Sequence, residues 1–165
     1  MNISNLKVTD VPGKYQITGS LDADEIIALA IKLAKNKLKK GTMFNSPSAV
    51  TDYLRAIYAT EEKEVFAMIH LDSQHRVIEL ETLFTGTIAS ASVYPREIIK
   101  SVMNKNSCKL ILCHNHPSGL AEPSTSDKAI TTKIINALKF IDVEVLDHII
   151  VGTESTVSFA ERGLI

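Results

Sequence analysis

The stretch Cys113–Asp127 constrains this chain more than any other part of it. It begins at the end of an apolar run, Lys109–Cys113, that reads as a short central strand. It crosses a loop marked by Pro117, Gly119 and Pro123, and it finishes in the first turn of a helix starting near Thr125. A strand that returns at once as a helix fits a sheet covered by helices. The same stretch carries the chemistry. Residues i and i+2 of an extended chain project to one side, so His114 and His116 aim their imidazoles at a common point beyond the sheet. Asp127 lies about one turn into the helix, behind a loop able to fold back over that point.

Two imidazoles and a carboxylate suit zinc, one ion per chain, and leave a fourth tetrahedral position open, as a catalytic site requires. The parts also have plainer readings. A His-x-His pair alone is common. Ser124-x-x-Asp127 matches a helix capping box, with Asp127 then serving the backbone. Cap and ligand roles are compatible, because a cap fixes the helix start and with it the carboxylate.

The remaining pattern supports an α/β (α+β) fold with a mixed sheet flanked by helices. Residues 1–45 form an N-terminal extension with one helix, and 46–165 form the main domain. A short strand is expected around Tyr15–Thr18. The first helix is predicted over Ala23–Lys39, capped by Asp22 with Glu25 three residues on, its face built on Ile26, Leu29, Ala30 and Leu33. Lys32, Lys35, Lys37, Lys39 and Lys40 crowd its end, where the helix dipole favours cations. No aromatic residues are interleaved there for base stacking. Ser46 and Pro47 start a second helix reaching Tyr58, with Val50, Tyr53, Leu54 and Ile57 inward. Residues 64–71 and 76–84 read as a hairpin turning at Asp72–His75. In its second strand, Glu79 and Glu81 alternate with Ile78 and Leu80 and read as the solvent face. A helix over Tyr94–Asn104, strands over Val143–Val151 and Thr156–Phe159, and a long helix over Thr125–Phe140 complete the reading.

Composition narrows the function classes. The 165 residues carry a formal net charge of −1, so nucleic acid is a possible partner that the charge balance does not support. No run approaches the ~20 apolar residues of a membrane span, and Met1–Asp10 does not resemble a signal peptide. Cys108 and Cys113 fall on opposite faces of one strand, so reduced thiols in a cytoplasmic protein are expected.

The stretch His114-Asn115-His116-Pro117, six residues, then Ser124-x-x-Asp127 resembles the JAMM (MPN-plus) metalloprotease motif without gaps. Within that family it is most similar to the bacterial RadC branch, which Tyr94-Pro95-Arg96-Glu97 and Leu146-Asp147-His148 also resemble. The likeness spans roughly residues 46–165. It implies a mixed sheet flanked by helices, similar to the cytidine-deaminase arrangement, and zinc-dependent hydrolysis of peptide or isopeptide bonds in a peptide or protein substrate. Two departures stand out. Asn115 occupies a place where deubiquitinating relatives usually have Ser, and residues 1–45 lack the Gly-rich helix-hairpin-helix segment of longer RadC proteins.

The resemblance also implies a catalytic pair. Glu64, in Glu64-Val65-Phe66, matches the family's general base, although Glu61, Glu62 and Glu64 also read as a solvated turn. Ser124 is similar to the family serine that stabilises the oxyanion, with its cap role as the competing explanation. Asn115 supplies a hydrogen bond behind the ligands or closes the turn. His148 reads as a support rather than a fourth ligand. The Cys-x-x-Cys and His-x-Glu of zinc deaminases are absent from the sequence. The rival reading is a non-catalytic zinc-containing interaction or DNA-associated module.

Overall fold

The computed structural model describes residues 6–9, 14–37, 40–44, 46–86 and 93–165. Two short strands, β1 (Leu6–Val8) and β2 (Tyr15–Ile17), pair antiparallel. Helix α1 (Ala23–Lys37) starts at the expected reciprocal cap: Glu25 N–H donates to Asp22 Oδ1 at 2.8 Å, and Asp22 N–H to Glu25 Oε2 at 3.1 Å. Residues 38–39 of the predicted helix, with Lys39, lie outside the described residues, and so do the side chains of Lys35 and Lys37. Of the predicted inner face only Leu29 is buried, and Ile26 is 53% exposed. The reason is that, among the described residues, α1 packs mainly against α2 (Pro47–Tyr58) rather than against a sheet.

Strands β3 (Glu64–Leu71) and β4 (Val77–Gly86) form the hairpin, followed by α3 (Pro95–Lys105) and β5 (Lys109–Asn115). Helix α4 (Thr125–Lys139) precedes β6 (Glu144–Val151) and β7 (Thr156–Ser158). The five-stranded sheet has the order β4-β3-β5-β6-β7; only β5 and β6 run parallel, so the sheet is mixed. The crossover between those parallel strands is α4, the helix that carries Asp127.

Strand alternation divides the core. Val65, Ala67, Ile69, Ile111 and Cys113 face α2, whose Val50, Tyr53, Leu54 and Ile57 are buried as the helical spacing predicts. Phe66, Met68, Leu110 and Leu112 face the other way, against Ile98 and Val102 of α3 and Ile134 and Leu138 of α4. A strand covered on both faces is apolar throughout, and truncating fully buried Leu112 to Ala is expected to cost ~2–5 kcal/mol. This parity assigns the site. Even-numbered positions of β3 and β5, including Glu64 and His114, belong to the α3/α4 face, and odd-numbered Asn115 belongs to the α2 face.

Two expectations change. The central strand runs on through His114 and Asn115 instead of stopping at Cys113, because His114 pairs with Phe66 and with Ile150. Glu81 is not on a solvent face. It accepts hydrogen bonds from fully buried His70 at 2.9 Å and from Ser101, and Lys105 lies 3.8 Å away. Helix α3 covers that side of β4, which the alternation of one strand does not reveal.

Candidate metal centre

His114 ends on the α4 side of β5, and His116 follows where the chain leaves the sheet. The His116 N–H donates to the Val151 carbonyl at 2.8 Å, which keeps the departing backbone beside β6. Asp127 is brought to both imidazoles by the helix cap. Its N–H donates to Ser124 Oγ at 3.1 Å, while its Oδ2 accepts from Ser124 N–H at 2.8 Å and from Ser124 Oγ at 2.5 Å. The cap therefore occupies Oδ2 and turns Oδ1 towards His114.

The candidate ligand atoms of His114, His116 and Asp127 all lie within 4.8 Å of one another. His114 Nε2 lies 2.9 Å from His116 Nε2 and 3.2 Å from Asp127 Oδ1, and His116 Nε2 lies 3.6 Å from Asp127 Oδ2. Ligands about 2.0–2.1 Å from a tetrahedral ion stand ~3.3–3.4 Å from one another. His114 Nε2 stands near that spacing from both partners, and His116 faces the other carboxylate oxygen at a similar distance. His114 and Asp127 are buried, and His116 is partly exposed.

Hydrogen-bond direction fixes the imidazole tautomers. Thr131 Oγ donates to the Asp127 backbone carbonyl at 2.6 Å, and a carbonyl can only accept. Thr131 Oγ must then accept from His148 Nδ1–H, also at 2.6 Å. His148 Nε2 is left with its lone pair and accepts from His114 Nδ1–H at 2.8 Å. On the other side, His116 Nδ1–H donates to the Leu120 carbonyl at 2.7 Å. In both neutral ligand imidazoles the proton sits on Nδ1, and both bare Nε2 atoms point at each other and at a carboxylate. A cation seated among these three groups would relieve the repulsion of their lone pairs. Two nitrogens with one oxygen differ from the all-oxygen donor sets of calcium and magnesium.

The electrostatics favour positive charge between these groups. Burial would raise the Asp127 carboxyl, but the adjacent His114 and His116 imidazoles and the Ser124 hydroxyl outweigh it and hold the group below the usual carboxylate range. Hydrogen bonding to Asp127 raises His116 against the opposing effect of burial. Burial, reinforced by the neighbouring His114, pushes His148 well below the ordinary imidazole value and keeps it neutral.

Residues 44–164 match the family described as RadC-like JAB domain. The chain belongs to the RadC-like JAB domain family. A UPF0758 protein of Pseudoalteromonas translucida is 51% identical over 140 residues, 85% of this chain and 62% of the relative. A UPF0758 protein of Shewanella amazonensis is 53% identical over 137 residues, 83% and 61% respectively. The chain thus spans about three fifths of the length of these relatives.

Within this RadC-like JAB domain, His116, Asp127, Ser124 and Glu64 line one cleft of about 770 Å³, with Gly86 and Pro117 at its walls. Glu64 reaches the cleft because it shares a strand face with Phe66. Ser124 reaches it from the helix cap, with its hydroxyl donating to Asp127. His148 stands behind His114 and is fully buried, with its Nε2 engaged by His114 Nδ1. Asp147, on the opposite strand face, accepts from Ser158 Oγ at 2.6 Å and from Ala160 N–H at 3.0 Å.

Sequence reasoning missed Thr131 and the Gly119–Gly152 contact. Thr131 had a signal, since it lies one turn after Asp127 on the same helix face. The glycine contact had none. A Cβ on Gly152 would stand 2.3 Å from the Gly119 carbonyl oxygen, so only glycine lets the His116–Leu120 loop lie against the turn after β6.

Proposed function

We propose that this domain is a zinc-dependent hydrolase of amide bonds, acting on peptide or isopeptide linkages of a peptide or protein substrate. The observation that carries the reading is the convergence of three acceptor atoms, with both histidine protons directed away from the meeting point. His114, His116 and Asp127 are the proposed ligands. Zinc bound there supplies Lewis acidity, lowering the pKa of a coordinated water towards ~7 and polarising a carbonyl.

Glu64 is the proposed general base, since it lines the same cleft as His116 and Asp127 from the neighbouring strand. It removes a proton from the attacking water and delivers it to the departing amine. Ser124 is the proposed oxyanion donor. Its hydroxyl must exchange Asp127 Oδ2 for the oxyanion, while its backbone N–H stays on the carboxylate and keeps the ligand in place. His148 and Thr131 hold His114 in the tautomer that leaves Nε2 free, and the Leu120 carbonyl does the same for His116.

Elemental analysis of native protein beside His116→Ala tests the site: about one zinc per chain is expected in the former and a marked loss in the latter. Negligible metal in both would remove the basis of the proposal. Chelator-sensitive cleavage of a peptide library, abolished by Glu64→Gln with metal content retained, tests the chemistry. Metal retained without any cleavage, together with DNA binding of steep salt dependence, would favour an interaction module instead.

A further inference from the structure

Asn115 lies between the two histidines but points to the opposite face of the sheet. Its side chain is 2% exposed and uses its whole amide. Oδ1 accepts from Val65 N–H at 2.7 Å, and Nδ2 donates to the Glu61 and Lys63 carbonyls, both at 3.1 Å. The Lys63 carbonyl belongs to the peptide unit before Glu64, and the Val65 N–H belongs to the unit after it. One rigid planar group therefore grips both peptide planes that flank the Glu64 Cα. The orientation of those planes sets the direction in which the Glu64 side chain leaves the backbone.

We propose that Asn115 is a positioning residue that aims Glu64 into the metal cleft, so that the residue separating the two metal ligands also places the base opposite them. The inference rests on the assignment of Glu64 as base. The backbone ladder between β3 and β5 has Phe66 paired with His114 as its last pair. Beyond that point the Asn115 side chain takes over, reaching the Glu61 and Lys63 carbonyls. Only asparagine matches the set at this distance from the strand. Aspartate has the acceptor but replaces the two donors with an oxygen facing carbonyl oxygens, and glutamine displaces the amide by one methylene. Backbone segments held by a buried amide, away from competing water, keep their direction.

The test uses zinc-loaded protein and acetohydroxamate, a small chelator whose bound form shares a proton with a carboxylate beside the metal. Its affinity is measured by calorimetry for wild type, Glu64→Gln, Asn115→Ala and the double variant, with zinc content measured for each. Asn115→Ala is expected to retain zinc and to weaken binding at least about tenfold, the size of a lost charge-assisted hydrogen bond. Glu64→Gln is expected to do the same, and the double variant is expected to bind no more weakly than Glu64→Gln alone. That non-additivity marks action through Glu64; a general loosening of the fold would add to the Glu64→Gln loss. Wild-type affinity in Asn115→Ala, or additive losses, overturns the proposal while leaving the base assignment intact. Equal affinity in wild type and Glu64→Gln overturns the base assignment and this proposal with it. If Asn115→Ala does not fold, Asn115→Ser, which retains a single hydroxyl, is read by the same criteria.

Discussion

Replacing Thr131 with Val tests the directed hydrogen-bond chain behind the candidate centre. Thr131 is 1% exposed, makes no contact with the candidate ligand atoms, and is nearly isosteric with Val. The methyl that replaces the hydroxyl cannot accept from His148 Nδ1–H. His148 then has two choices. It can keep that proton and bury an unsatisfied donor, or shift the proton to Nε2, where it faces His114 Nδ1 across 2.8 Å. The second choice forces His114 to carry its proton on Nε2, pointing at the metal position. Binding zinc must reverse the shift and strand a buried donor, at ~1–3 kcal/mol. Each 1.4 kcal/mol is about tenfold in affinity, so zinc binding falls roughly ten- to hundredfold, the range seen when groups supporting a ligand are removed. Competition against a chromophoric chelator at neutral pH measures this directly. Thr132→Val is the control, because Thr132 makes the equivalent bond to a helix carbonyl at 2.9 Å but is exposed. Zinc affinity in Thr131→Val within about twofold of wild type would refute the tautomer chain.

Acidification should destabilise the protein partly through His70 and Glu81. Burial is the largest influence on His70 and holds it below its ordinary 6.5, so the unfolded chain takes up that proton first. Burial opposes, but hydrogen bonds from Ser101 and His70 prevail, and Glu81 also sits below its ordinary 4.5. Both contributions are complete above the unfolded pKa values and are lost as pH falls, so urea midpoints should drop below pH ~6.5 and the His70→Gln variant should show a flatter decline. An unchanged slope in that variant would discount His70. Gly152→Ala should destabilise by ~1–3 kcal/mol through overpacking and also lower zinc affinity, since the displaced loop carries Leu120; calorimetric melts and the same chelator competition read both effects. Native protein should show one rapidly reacting thiol, exposed Cys108, and a second only after denaturation, because burial raises the Cys113 thiol and excludes reagent. Equal rates for both thiols would contradict that burial.

The sequence by itself determined the parts of this protein that local spacing encodes. His114 and His116 share a side because a strand repeats every two residues. Asp127 arrives beside them because Ser124 and Asp127 complete a cap three residues apart. The inward face of α2 follows from its 3.6-residue period. Tertiary structure decided everything that depends on which surface covers which. Glu79 is exposed as its alternation predicts, but Glu81 reads as solvated until α3 is laid over β4 and brings Ser101 to it beside His70. Ile26 reads as core until α1 is seen, among the described residues, to pack mainly against α2. His148 and Thr131 lie 17 residues apart and on different elements, and Asn115 meets the chain 50 residues before it. A periodic pattern reports the face a side chain is on; it carries no record of the partner opposite, because that partner is set by packing between elements far apart in the chain. The convergence of His114, His116 and Asp127 was therefore legible in advance, while the hydrogen bonds that direct their protons and grip the backbone of Glu64 were not.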